Sequence, residues 1–245
     1  KTKVRLTADQ IAANKETYYG AVAQNYTKGG LTYRIFYVDT ENKFKDGKNT
    51  IYLKADYKDT KSLSTDISKL TDADITKYKN MNPLWAAKRG NAKSEWKINE
   101  KAAAWLCSPS QWTDYLDSTK ATYAIGGPSV EMYVASYNDV AHNNGTAKGG
   151  LSTEYSTKDA PGYIYKIDGT AQNRGWYTYN DTLDYQGYNN MYAKLETYWW
   201  LASPSSYGSG HMCYVSNSSL GYNGFNNGVG PLVSLPSTFT VEVEQ

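Results

Sequence analysis

From Ser206 to Gly230 the chain runs 25 residues without an Asp, Glu, Lys or Arg, and 18 of these residues are Ser, Gly, Asn or Tyr. The hydrophobic run YWWLASPS (Tyr198–Ser205) leads into it, and GPLVSLPSTFTVEVE leads out. Both flanks read as core. A polar, aromatic-studded segment pinned between buried flanks is built as a displayed surface, and the rest of the fold must supply its support.

The whole chain is long enough for that. Its 245 residues can bury a substantial core as one large domain or two small ones. With 24 Tyr and 7 Trp, much of the core and surface is aromatic, and the abundance of Asn, Ser, Thr and Gly points to loops and polar strand faces. The 26 basic and 24 acidic residues nearly cancel, so no broad positive field exists to attract a phosphate backbone. The lysines crowd the first hundred residues but alternate with Asp and Glu, as in ADYKDTKSLSTDISKLTDADITKYK. This is the pattern of a solvated face, and nucleic acid is not an expected partner.

Local patterns mark out several elements. LTADQIAANKETYYGAVAQNYTKGG opens with a short helix, with Thr7 as its cap, and a polar turn follows at Lys28–Gly30. LTYRIFYVDT (Leu31–Thr40) and TIYLKADY (Thr50–Tyr57) alternate apolar and polar residues around a DGKNT turn, the clearest hairpin in the sequence. Between Ser62 and Lys101 the spacing is loosely helical, with Leu70, Ile75, Tyr78, Leu84 and Trp85 as inward positions and Pro83 as an interruption. SVEMYVASYND (Ser129–Asp139) reads as a strand or short helix, and GYIYKIDGT as a strand with a turn. Gly126 and Gly127, before Pro128, suggest a tight turn needing unusual backbone angles. WLCSPS at Trp105–Ser110 is echoed by WLASPS at Trp200–Ser205, as expected of a duplicated structural corner in which Trp and Leu bury and Pro stops the element.

The motifs of common catalysts are missing: GxSxG, GxxxxGK[ST], HExxH and CxxC do not occur, and the only histidines are His142 and His211. Scattered His142, His211, Cys107 and Cys213 do not form a zinc signature, and two cysteines do not define a disulfide scaffold; whether they pair stays open. Asp181 and Asp184 lack calcium-loop spacing and read as turn caps. The expectation is a chain without catalytic residues, cofactor or metal. Tyr instead offers broad contact area at low ordering cost, while Ser, Gly and Asn supply adaptable hydrogen bonds, the mixture that makes antibody loops good binders. The expected contact residues are Tyr207, His211, Tyr214, Asn217, Tyr222, Asn223, Phe225, Asn226 and Asn227.

YWWLASPS at 198–205, Val215, the Gly221 turn and GVGPLVSL at 228–235 carry a family likeness. They resemble the C-terminal domain of formylglycine-generating-enzyme-like proteins with the C-type lectin fold, including the variable proteins diversified by retroelements in bacteria and phages. That pattern usually reads Gly-Val-Arg-Pro, whereas Gly230 stands here in the arginine's place and removes an expected buried anchor. The resemblance implies an α+β, C-type lectin-like fold with short twisted antiparallel strands, long irregular loops and an N-terminal hairpin and helices. Residues 1–245 would form a single lectin-like domain. Within it, 1–100 would be the hairpin and helical part, and 101–245 the core with a variable ligand-binding region at 206–227.

Trp105, Trp199, Trp200, Leu201, Pro204, Pro231, Leu232 and Leu235 would be scaffold rather than contacts. The implied activity is non-catalytic recognition or adhesion at an extracellular, cell or virion surface, toward a protein or glycan ligand on a cell, host or phage. The N-terminal part resembles surface proteins with a pilin-like anchor upstream, which allows membrane or pilus attachment through a removed segment. The rival expectation is a structural pilus or surface-fibre subunit without a selective soluble ligand.

Overall fold

A computed structural model describes residues 1–56, 60–61, 106, 109–128, 130–140, 164–165, 171–172, 199–204, 212–215, 220–223 and 227–245. These residues have an α+β organisation in which most strand pairings are antiparallel. Strand β1 (Lys3–Leu6) leads into helix α1 (Ala8–Ala13). Thr7 caps α1 as anticipated: its Oγ1 accepts from Gln10 N at 3.2 Å, while Gln10 Oε1 accepts from Thr7 N at 2.9 Å. This reciprocal box satisfies two backbone donors that a six-residue helix would otherwise leave to water. A second short helix, α2 (Lys15–Tyr18), follows, and a 3₁₀ turn at Lys28–Gly30 delivers the chain to the hairpin.

The hairpin consists of β2 (Tyr33–Asp39) and β3 (Thr50–Ala55), paired antiparallel. Its loop is organised by Asp39, whose carboxylate accepts from the backbone N–H groups of Lys43 and Phe44, both at 2.9 Å. The alternating pattern predicts one wet face, but the structure buries both: every residue of β3 and all but Arg34 in β2 are buried. The reason is the fold around them. Strand β12 (Leu232–Leu235) pairs with β3, and β5 (Tyr123–Ile125) pairs with β12, giving a four-stranded sheet ordered β2, β3, β12, β5. The hairpin is therefore half of a sheet completed by the C-terminal part of the chain. Full burial of side chains such as Ile35, Leu53 and Val233 contributes roughly 1.5–3 kcal/mol each.

The other edge of β2 is closed locally. Gly20 N donates to Ile35 O at 2.8 Å, Ile35 N to Ala21 O at 3.0 Å, and Ala23 N to Tyr33 O at 2.8 Å. A register shift between Ile35 and Tyr37 leaves Phe36 as an extra residue opposite β3. Its carbonyl accepts from Ser136 Oγ at 2.6 Å, and Ser136 lies on helix α3 (Val130–Val140). Of the stretch read as a strand or short helix, Val130–Asp139 is helical. Tyr19 adds a second tie, its hydroxyl accepting from Val38 N at 2.9 Å and donating to Asp139 Oδ2 at 2.8 Å. Lys15 Nζ lies 3.1 Å from the same carboxylate.

The chain ends meet. Strand β13 (Val241–Glu244) pairs antiparallel with β1, and Glu242 of β13 lies 3.2 Å from Lys3 Nζ and 3.5 Å from Arg5 Nε. The described buried apolar side chains, from Leu6 to Val243, form one connected core.

Three sequence expectations need correction. The two WL-x-SP copies do not form equivalent corners: Pro109 begins a 3₁₀ turn (Pro109–Gln111), whereas the second copy lies in strand β8 (Trp199–Pro204). Leu106 O accepts from Gly126 N at 2.7 Å, whereas β8 is paired laterally along a sheet, so different partners give the same letters different backbones. Both leucines, Leu106 and Leu201, are nevertheless buried. Gly126 is not needed for a positive φ but for space, since an added Cβ would lie 2.7 Å from Trp112 Cε2 and 2.8 Å from Leu106 Cδ2. Gly221 is not a turn; it sits inside strand β10 (Leu220–Asn223). Lys54, which the sequence reading did not single out, is 1% exposed. The inward positions proposed between Ser62 and Lys101 lie outside the described residues, as do Asp181 and Asp184.

Candidate functional site

The charge-free segment contributes three strands to a second sheet. Strand β9 (Met212–Val215) and β10 form an antiparallel pair, β8 lies on the other side of β9, and β11 (Asn227–Gly228) runs parallel to β8. Strand β4 (Thr60–Lys61) pairs with β11 and completes the order β10, β9, β8, β11, β4. Among the described strands β10 is terminal, so the segment's middle forms an outer hairpin and its end returns between β8 and β4. A separate short pair, β6 (Ile164–Tyr165) with β7 (Ala171–Gln172), places a strand within GYIYKIDGT, while the turn read there lies outside the described residues.

The register distributes the expected contact residues. Leu220 lies opposite Val215, Gly221 opposite Tyr214, Tyr222 opposite Cys213 and Asn223 opposite Met212. On the other side of β9, Val215 lies opposite Trp199 and Tyr214 opposite Trp200. Directly opposed residues belong to the same sheet face and successive residues to opposite faces. The positions of Tyr214, Asn223 and Trp200 therefore share one face, while those of Tyr222, Cys213, Val215, Leu220 and Trp199 share the other. Asn227 is placed at the inner side of the sheet, opposite Lys61. Tyr207, His211, Asn217, Phe225 and Asn226 lie outside the described residues, as does Trp105.

The supporting positions are clearer. Leu201, Pro231, Leu232 and Leu235 are buried, and Pro204 closes β8 opposite Met212. Residues 229–231 carry the chain from β11 in the five-stranded sheet to β12 in the four-stranded one, and all three are buried. Pro231 O accepts from Ala55 N at 2.8 Å, which fixes this crossing to the end of β3. A Cβ on Gly230 would lie closer than 3.0 Å to both Ala55 O and Lys54 Nζ. The glycine that removes an expected anchor thus lies where the neighbouring strand already supplies a cation.

That cation has a defined setting. Lys54 Nζ donates to Ala55 O at 3.0 Å. In the sheet Lys54 is opposite Arg34 on one side and Leu232 on the other. Arg34 Nε reaches both carboxylate oxygens of Asp56, at 3.0 and 3.2 Å, and Arg34 Nη1 donates to Gly20 O at 2.9 Å. Burial pushes the Lys54 ammonium down to about 7 from its ordinary value of 10.5, against an opposing pull from Asp56. Sequence reasoning passed over Lys54; its only signal was a lone basic residue in the otherwise apolar TIYLKA run.

A second cluster was equally silent in the sequence. Asp46 Oδ2 accepts from Tyr52 Oη at 2.6 Å and from Tyr123 Oη at 2.5 Å, tying the hairpin loop to β3 and β5. Both phenols are raised, first by burial and also by the adjacent Asp46 carboxylate. Among the described residues no group of three or more His, Cys, Asp or Glu could hold a metal ion. No helix among them is long and apolar enough to cross a membrane.

Comparison of the chain with protein-family models, curated proteins and solved structures finds no match.

Proposed function

We propose that this chain is a non-catalytic recognition or adhesion protein of C-type lectin-like fold, retroelement-diversified and displayed on a cell or virion surface. Its ligand is a protein or glycan on another surface. The observation that carries this reading is the placement of the charge-free segment: it contributes the terminal strand pair β9–β10, and it is flanked by β8, whose Leu201 is buried, and by the buried crossing at 229–231. A rigid frame holding a Tyr, Asn, Ser and Gly surface lets side chains vary with little change to the packed parts.

The register refines how a ligand would be met. Tyr214 and Asn223 hold positions on the face opposite to that of Tyr222, so a ligand lying flat on the sheet reaches one set only. A ligand gripping the edge at β10 reaches both. The purified chain is screened on glycan and bacterial-surface-protein arrays beside a variant with Tyr207, Tyr222 and Phe225 replaced by alanine. Selective binding that is lost in a folded triple variant supports the reading, because buried aromatic anchors commonly cost 2 kcal/mol or more on truncation, or about thirtyfold in affinity. No selective binding by the folded chain moves the reading to a structural surface-fibre subunit. Tyr214→Ala and Tyr222→Ala, measured singly, then separate face docking, where one matters, from edge docking, where both do.

A further inference from the structure

The small sheet made by β1 and β13 has two edges, and they are finished differently. Thr2 and Gln245 exchange both backbone bonds, Thr2 N donating to Gln245 O at 3.1 Å and Gln245 N to Thr2 O at 2.8 Å. Bonded pairs recur at every second residue of an antiparallel ladder. Val4 and Leu6 therefore also turn their backbone groups toward β13, opposite Val243 and Val241. The groups of Glu242 turn away from β1, and they are covered: Gln24 N donates to Glu242 O at 2.7 Å, and Glu242 N donates to Asn25 Oδ1 at 2.9 Å. Asn25 Nδ2 adds a bond to Thr240 O at 2.8 Å. The backbone groups of Lys3 and Arg5 turn outward from β1, and no strand among the described residues pairs with them. Their side chains are 60% and 68% exposed.

An edge of this kind is a template for a further strand, and its side chains decide which. Leu6 is buried and Val4 half-buried against the core. Lys3 and Arg5 share the opposite face, where both reach Glu242, at 3.2 and 3.5 Å, while Lys1 lies 3.6 Å from Glu244. Three cations meet two carboxylates, so this face keeps a positive surplus. A second copy's β1 fits poorly. Each antiparallel register that brings outward groups together sets Lys3 against Lys3, Lys3 against Arg5 or Arg5 against Arg5, and like charges directly opposed are destabilising. Strand β13 displays what β1 accepts on its inner side: VEVE, with valines beside Val4 and Leu6 and glutamates beside the cations.

We infer that the outer edge of β1 is a docking edge for an extended peptide in which acidic and apolar residues alternate, added antiparallel with its acidic residues opposite Lys3 and Arg5. Its apolar residues would continue the covered face beside Val4. This edge lies in a different sheet from β9–β10 and stands whatever the five-stranded sheet binds.

Amide exchange with water, followed by NMR on the full chain, tests this with the end-capped peptide TVEVET as probe. The Lys3 and Arg5 amides should exchange about tenfold more slowly at a peptide concentration about tenfold above Kd, while Val4 and Val243 keep their protection. The peptide TVKVKT should bind at least about tenfold more weakly. N-methylation of the two glutamate amides, which would face β1, should abolish binding, and N-methylation of the two valine amides, which would face away, should not. Unchanged exchange at Lys3 and Arg5, equal binding of TVKVKT, or binding that survives glutamate methylation would each overturn the docking edge. So would loss of protection at Val243, the mark of a peptide replacing β13, or slowing that depends on protein concentration without peptide, the mark of pairing between copies.

Discussion

Replacing Gly230 by alanine isolates what the crossing demands of its sequence. The glycine has no positive φ, so alanine suffers no backbone penalty there, and the whole effect comes from space. The new methyl would lie closer than 3.0 Å to two atoms. One is Lys54 Nζ, the tip of a flexible side chain, which can shift. The other is the carbonyl oxygen of Ala55, which cannot move without displacing the end of β3, and Ala55 N is bonded to Pro231 O at 2.8 Å. Overpacking of this kind costs about 3 kcal/mol, which for a chain of this size lowers Tm by roughly 6–12 °C.

Gly30→Ala is the matched control, because Gly30 has a φ of 71° and nothing within 4 Å of an added Cβ. It loses only the conformational preference, about 1–2 kcal/mol. Thermal and urea denaturation, followed by circular dichroism, compare the two variants with the parent. The expected order is parent, then Gly30→Ala, then Gly230→Ala. A Gly230→Ala protein within about 0.5 kcal/mol of the parent would show that the crossing is loosely packed and would refute the steric argument. Adding Lys54→Met to Gly230→Ala should recover little, because the backbone clash remains.

Three further outcomes follow from the same geometry. Thr7→Ala removes the capping oxygen of α1 and should cost about 1 kcal/mol, read as a Tm drop of roughly 2–4 °C. Asp46→Ala leaves the Tyr52 and Tyr123 hydroxyls without the carboxylate they share and should cost about 2–3 kcal/mol; urea midpoints check it, and an unchanged midpoint would mean that the loop tie is dispensable. Stability should also pass through a maximum on the alkaline side. Lys54 is depressed to about 7 in the fold, so the unfolded chain binds the extra proton and stability rises with pH from about 7 toward 10.5. Tyr19, Tyr33, Tyr52 and Tyr123 are raised, so their contribution is complete below the ordinary tyrosine value of 10.0 and is lost as pH climbs above it. Urea midpoints from pH 6 to 11 should therefore rise and then fall, and a monotonic decline from pH 7 would contradict the Lys54 setting.

Local signals in this chain proved legible where the physics is local. The Thr7 cap needs only Gln10, three residues on, and the hairpin needs only its two apolar runs and the loop between them. What the sequence did not disclose depends on partners far along the chain. The burial of both faces of β2 and β3 comes from β12, about 180 residues later, and from helix α3, and period-2 alternation cannot report a second covered face. Gly126 and Gly230 look alike as turn formers, yet each is fixed by a side chain or backbone brought in from elsewhere. Lys54 is a polar letter in an alternating strand, and its burial depends on neighbours far along the chain, among them Leu232 of β12 and Gly230 of the crossing from β11.

The candidate site divides along the same line. Composition picked out 206–230 because absence of charge is visible in one dimension, and the β9–β10 register then needed only strand pairing to be drawn. Which tyrosine positions share a face was not visible, because it depends on parity between strands: Tyr214 and Tyr222 are eight residues apart, an even number, yet the β9–β10 register places their positions on opposite faces. A slip of a single residue in that pairing would change which β10 residue lies beside Tyr214, replacing Gly221 by Tyr222 or Leu220. On the proposed reading, register would therefore determine the surface the β9–β10 pair presents as much as residue identity does. A recognition surface of that kind would need a frame that holds this register, and the buried crossing at Val229–Pro231, which returns the chain from β11 to β12, is part of that frame.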